Sequence, residues 1–343
     1  MKTTAIRISS LVFVFSVVIF STAFSAGTLR KSFTVGSGGT LNFSGERCHI
    51  VLEGSSRSDI QLRAECGEDI EDHYEVSFEQ SGESLEIRVE TLYEEKTRSR
   101  FFGLFISTSQ RFGLKSEDYL TFTVSVPQDF NPCIKDSRGR VEIRSISGRV
   151  EAYNSRGPVT VEGVSGSVTV HNSRGPVTLA RIDGKLEVRN SRGSINVEDA
   201  SGDSRLVNSR GSIELKNFKG TLETCNSRGH IKVTGLEGKI KADNSRSRIE
   251  VEFCSAPAED CRLSASRGDI DLSLPGEMGA NISAQANRGK IASEIPLMVV
   301  GEVGKSRLEG RMADGGPRIE LTTSRGDIRI KTAKDEASGN PRS

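Results

Sequence analysis

The sequence contains no tryptophan, only four histidines and nine prolines, and aromatic residues make up 6% of it. So few aromatics disfavour a large aromatic-lined pocket. Its 35 glycines disfavour a helical bundle and fit repetitive β structure with many turns. The histidines, His49, His73, His171 and His230, are scattered, and no nucleophile-elbow, zinc-protease or phosphate-loop pattern is present. The six cysteines include no Cys-x-x-Cys spacing, which leaves a zinc site poorly supported. No metal and no cofactor is expected. Neither sign of charge is in excess, with 47 basic and 46 acidic residues among 343. Binding to a polyanion must therefore come from local patterning, and nothing global points to nucleic acid.

Residues 1–26 open with Lys2 and Arg7, continue with the apolar run LVFVFSVVIF (11–20) and end in the small residues STAFSA. This is the layout of a secretory signal peptide cleaved near Ala23 or Ala26. The alternative is an uncleaved anchor, but the run is shorter than the ~20 residues of a spanning helix. No other segment is apolar and long enough to cross a membrane, and no cysteine sits near the cleavage site to take a lipid. The expected location is the periplasm or the outside of the cell. Losing Lys2 and Arg7 leaves 45 basic against 46 acidic residues.

Export permits disulfides. CHIVL (48–52) and IQLRAEC (60–66) alternate apolar and polar residues, and pairing them as a hairpin sets Cys48 opposite Cys66. Cys254 and Cys261 enclose the short loop SAPAED and form the second expected pair. Cys133 and Cys225 lie about five repeats apart, too far for a bond that needs Cα atoms within ~7 Å.

Repetition dominates the rest. Ser-Arg-Gly recurs from Ser137 to Ser227 in steps of 18, and Ser245-Arg246-Ser247 keeps the frame. Glycines from Gly139 to Gly238 fall nine apart. The unit is a nonapeptide, and two make one turn of 18 residues. Positions two and four after glycine are usually apolar, as in Val159/Val161 and Ile213/Leu215, with polar residues between them. That is the period of a half-buried strand. One such strand cannot bury its apolar face alone, whereas stacked turns bury it continuously. The fold expected is all-β: a parallel β-solenoid with two strand faces, a turn at each glycine, and a β-rich cap before it. The expected division is signal peptide 1–26, cap 27–130, solenoid 131–333 with RIELTTSRGDIRIKT (318–332) as closing strands, and a disordered tail 334–343.

These features resemble a family of bacterial "putative adhesins" built from β-strand repeats. The likeness rests on FTVGSGGTLNF (33–43), on TFTVSVPQDF leading into the first Ser-Arg-Gly turn (121–139), on the nonapeptide ladder and on GGPRIELTTSRGDIRI (315–330). The resemblance implies an exported or envelope-associated β-solenoid without known catalytic residues. The strict Ser-Arg-Gly regularity departs from looser members.

Three candidate sites follow. A turn of 18 residues stacks Arg138, Arg156, Arg174, Arg192, Arg210, Arg228 and Arg246 in one column, with a column of asparagines (Asn154 to Asn244) and one of serines at the same corner. The bland reading is structural: asparagines pair amide to amide, serines satisfy the turn, and arginines bond carbonyls or carboxylates. The functional reading is a linear strip for a polyanionic glycan. The segment 91–118 carries Arg98, Arg100, Phe101, Phe102 and Phe105, a basic aromatic loop that either contacts an envelope protein or covers an open solenoid end. Glu142, Glu214 and Glu250 share an outward row interrupted by threonine, asparagine and lysine, which reads as a solvated face. The sequence thus indicates a non-enzymatic binding or scaffolding surface of the bacterial envelope. The competing readings are a carbohydrate-active β-solenoid enzyme and an envelope-stress sensor acting with a membrane protein.

Overall fold

The computed structural model describes residues 27–67, 70–92, 99–101, 104–106, 119–276, 278–299, 304 and 306–333. The expected signal peptide and tail lie outside them. Two parallel faces run the length of the molecule. On the first, each strand pairs with the strand one turn later, so that Ile50, Val141, Val159, Val177, Ile195, Ile213, Ile231, Ile249, Ile270 and Ile328 form one column. Each is at most 1% exposed. On the second face, the column Ile134, Ala152, Val170, Val188 and Leu206 is equally buried. Every turn adds several such side chains to one core, each worth roughly 1.5–3 kcal/mol.

The faces meet at glycines. At Gly175 the backbone has φ of 126°, and a Cβ would stand 2.2 Å from the Gly157 carbonyl oxygen of the neighbouring turn. Only glycine allows both the left-handed backbone and that approach. At Gly202, Gly220 and Gly238 the chain bends without losing its ladder, giving 14-residue strands such as Ile195–Asn208.

A further bend is invisible in the glycine spacing. Ser145, Gly163, Arg181, Asp199, Asn217 and Gly235 are 18 apart and all have φ between 53° and 67°. Each is skipped in the pairing register, as where Arg144 faces Glu162 and Ile146 faces Val164. Four of the six are not glycine, so no residue type marks the column.

The N-terminal end differs from the hairpin expected at 48–66. Strand Leu120–Pro127 lies between Cys48–Ser55 and Asp59–Glu65, parallel to the first and antiparallel to the second. Thr28–Thr34 then closes that face antiparallel to Asp59–Glu65. On the other face Tyr74–Ser81 closes antiparallel to Ser84–Thr91. Exposed Arg30 on one closing strand and Glu75 and Glu79 on the other put charge on these open edges.

The C-terminal end also departs from expectation. Arg318–Thr323 and Ile328–Thr332 are not the last turn. They insert between the turn of 261–274 and that of 280–293. Antiparallel strands Arg307–Met312 and Met298–Val299 finish the second face.

Candidate functional site: the arginine corner

The corner between second and first faces reads Asn-Ser-Arg-Gly in most turns. Its asparagines are buried, at most 4% exposed. Asn208 donates from Nδ2 to the Gly193 carbonyl at 2.8 Å, and its Oδ1 accepts the Arg210 N–H at 3.3 Å. The same bond to the glycine one turn below recurs from Asn154, Asn172, Asn190, Asn226 and Asn244. The amides thus clasp backbone carbonyls rather than one another, which corrects the amide-to-amide expectation.

The remaining backbone groups are used between turns. The Ser209 N–H donates to the Asn190 carbonyl at 3.1 Å and the Gly193 N–H to the Arg210 carbonyl at 3.0 Å. Among the described residues, the side chains of the corner serines and arginines take no part. Arg138, Arg156, Arg174, Arg192, Arg210, Arg228 and Arg246 are exposed. Among the described residues none of them makes a side-chain hydrogen bond or ion pair.

The flat faces behave differently. There Arg189 pairs with Glu187 at 2.8 Å, Lys219 with Glu237 at 2.8 Å and Lys241 with Glu223 at 3.2 Å, while Arg181 bonds Glu162 and Arg205 bonds Glu223. Arg189 holds the Glu187 carboxyl below its ordinary range, and Lys241 does the same for Glu223. Many face cations are thus paired with carboxylates, whereas among the described residues the corner arginines are not.

The column is longer than the repeat frame suggested. The Ser266 N–H reaches the Asn244 carbonyl, the Gly268 N–H the Arg325 carbonyl, and the Asn287 N–H the Thr323 carbonyl. Arg267, Arg325 and Arg288 therefore follow Arg246, in that order, and are exposed and unpaired among the described residues. Their Ser-Arg-Gly or Asn-Arg-Gly triplets were legible, but not the insertion that interleaves them. At the other end Cys48 takes the glycine position beneath Gly139. Arg47 precedes it, with its guanidinium 5.6 Å from the Tyr119 ring centroid.

The other candidates are not brought together. Of the aromatic loop, Arg98 and Phe102 lie outside the described residues. For Arg100, Phe101 and Phe105 only an antiparallel ribbon of Ser99–Phe101 with Leu104–Ile106 is defined. Glu142, Thr160, Thr178, Asn196, Glu214, Lys232 and Glu250 do form one outward column. A shallow depression of about 400 Å³ lies over part of it. Its carboxylates are engaged, Glu214 by His230 at 3.0 Å and Glu198 by Lys216 at 3.4 Å. Among the described residues no cluster of three metal-ligating side chains occurs.

All six cysteines are unbonded, so neither expected disulfide is present. Strand Leu120–Pro127 separates Cys48 from Cys66. Cys261 is buried while Cys254 is exposed. Cys133 and Cys225 sit on the outer side of the second face, where burial pushes both thiols above their ordinary range.

Residues 40–331 match the family model described as Toastrack DUF4097. No curated protein matches the chain. Two crystal structures are similar to it. One is a "putative cell adhesion protein" from Clostridium sporogenes ATCC 15579, 10% identical, covering 90% of this chain and 100% of that one, with a TM-score of 0.23. The other is a "putative lipid binding protein" from Parabacteroides distasonis ATCC 8503, 14% identical, covering 90% and 97%, with a TM-score of 0.34. Superposition that poor carries no argument about ligand or activity.

Proposed function

The chain belongs to the Toastrack DUF4097 family of β-solenoids of unknown function, and we propose that it is an exported, non-enzymatic binding surface that holds a polyanionic glycan of the cell envelope along its arginine corner. One observation carries this reading. Many face cations stand beside carboxylates, whereas the corner arginines are exposed, unpaired among the described residues and flanked by serine hydroxyls. The signal-peptide pattern of residues 1–26 supports export to the periplasm or beyond.

The test is binding of the purified mature chain to anionic and neutral envelope polysaccharides at low and high salt. Counterion release predicts that a contact neutralising about five charges weakens on the order of 100-fold for a fourfold rise in salt. Changing Arg174, Arg192 and Arg210 to serine should weaken binding and leave the thermal melt unchanged. Unchanged binding would overturn the assignment to the corner. Absence of binding across the panel would overturn the glycan reading and turn attention to protein partners of the 98–106 segment.

A further inference from the structure

Resting on that reading, we infer that the ligand is a polyuronate, a linear glycan with one carboxylate per sugar ring, and that it is recognised by length along a strip of ten arginines. The strip runs through the seven repeat arginines and continues through Arg267, Arg325 and Arg288. Successive guanidinium groups rise with the strands, ~4.8 Å apart, so ten span about 43 Å.

Three features select the ligand class. A guanidinium takes a carboxylate through two parallel hydrogen bonds, so each rung fits one carboxylate. The ~4.8 Å strand spacing is comparable to the length of one sugar ring, so strip and uronate chain carry charge at similar linear density. Duplex nucleic acid, with one charge per ~1.7 Å of axis, loses register within two rungs. No aromatic residue stands in the serine or arginine column of the strip. Beside the arginines stand exposed serines from Ser155 to Ser245, then Ser266 and Ser324. Single-stranded nucleic acid is ordinarily held by stacking on aromatics, whereas hydroxyls suit the ring oxygens and hydroxyls of a sugar.

The experiment measures binding of the mature chain to oligouronates from four to fourteen rings, with single-stranded DNA of equal charge as comparator. Affinity should climb steeply with length, level off near ten rings, and exceed that for DNA at the same salt. The variant R267S/R325S/R288S should bind the ten-ring oligomer on the order of 10-fold more weakly, bind the four-ring oligomer as before, and level off near seven rings. Removing Arg138, Arg156 and Arg174 instead should shorten the plateau equally, which separates strip length from a local folding fault. Affinity that does not depend on length, a plateau unmoved by either triple variant, or DNA bound as tightly as uronate would overturn the inference while leaving polyanion binding in place. Absence of salt-sensitive binding to every polyanion would overturn both.

Discussion

Asp136 is where the asparagine column gives way to a carboxylate, and D136N tests how the corners are held. Asp136 stands in register with Asn154 and is 5% exposed. Its Oδ1 accepts the Cys48 N–H at 3.3 Å, while Oδ2 is buried without a partner. Burial raises its pKa from the ordinary 3.8 to about 7, against the pull of the N–H groups of Cys48, Ser137 and Arg138. In the unfolded chain the same group titrates near ~3.9. Between these values the folded state keeps a proton that the unfolded state has lost. Its contribution to stability therefore falls as pH rises from ~4 to ~7 and is constant above that. A shift of about three units at ~1.36 kcal/mol each sets an upper bound of ~4 kcal/mol. In D136N the introduced amide puts an N–H₂ where Oδ2 finds no donor, as the Asn154 amide reaches the Gly139 carbonyl at 2.9 Å. Urea unfolding at pH 4 and pH 8 reads the effect. The variant should be more stable than the parent at pH 8 by ~2–4 kcal/mol and nearly equal to it at pH 4. Parallel pH profiles for the two proteins, or a variant weaker at pH 8, would refute the reasoning.

Other substitutions probe the stack itself. Ser204 and Thr224 bury hydroxyls without partners in columns otherwise filled by Val168, Leu186 and Leu222, or by Val188 and Leu206. S204V and T224V should each add about 1–2 kcal/mol in urea unfolding. G193A places a methyl group 2.2 Å from the Gly175 carbonyl oxygen and should cost more than ~3 kcal/mol, whereas R192S beside it should leave the melt unchanged. R181G relieves a φ of 53° on a non-glycine residue and should stabilise by ~1 kcal/mol. Its exposed pair with Glu162 offsets little of that gain.

Much of the solenoid was legible because stacking makes every turn obey the same rule. The apolar positions two and four after glycine are the buried columns, and the frame of 18 is the pairing register. What stayed hidden are features that periodicity does not encode. The αL column is one: of Ser145, Arg181, Asp199 and Asn217 only the aspartate and the asparagine favour that backbone, and Gly163 and Gly235 are too far apart to announce a period. Strand order at the ends is another. Alternation shows that Cys48–Ser55, Asp59–Glu65 and Leu120–Pro127 are strands, but not that the last lies between the first two. The inserted turn 318–332 hides its place for the same reason, and with it the continuation of the arginine strip.

The four-residue corner separates into parts with different duties. Asparagine and glycine fold the turn: one supplies the amide that caps the carbonyl below, the other the only backbone that fits there. Serine and arginine contribute backbone bonds that any residue would make. Their side chains add no contact among the described residues, yet arginine recurs in every turn from 138 to 246. Neighbouring charges ~4.8 Å apart repel by roughly 0.9 kcal/mol in water before screening, so the column weakens the stack slightly and no ion pair among the described residues offsets it. Repetition that folding does not require, and mildly opposes, is what the proposed binding of an extended polyanion would explain, since such a ligand complements the charge of the column.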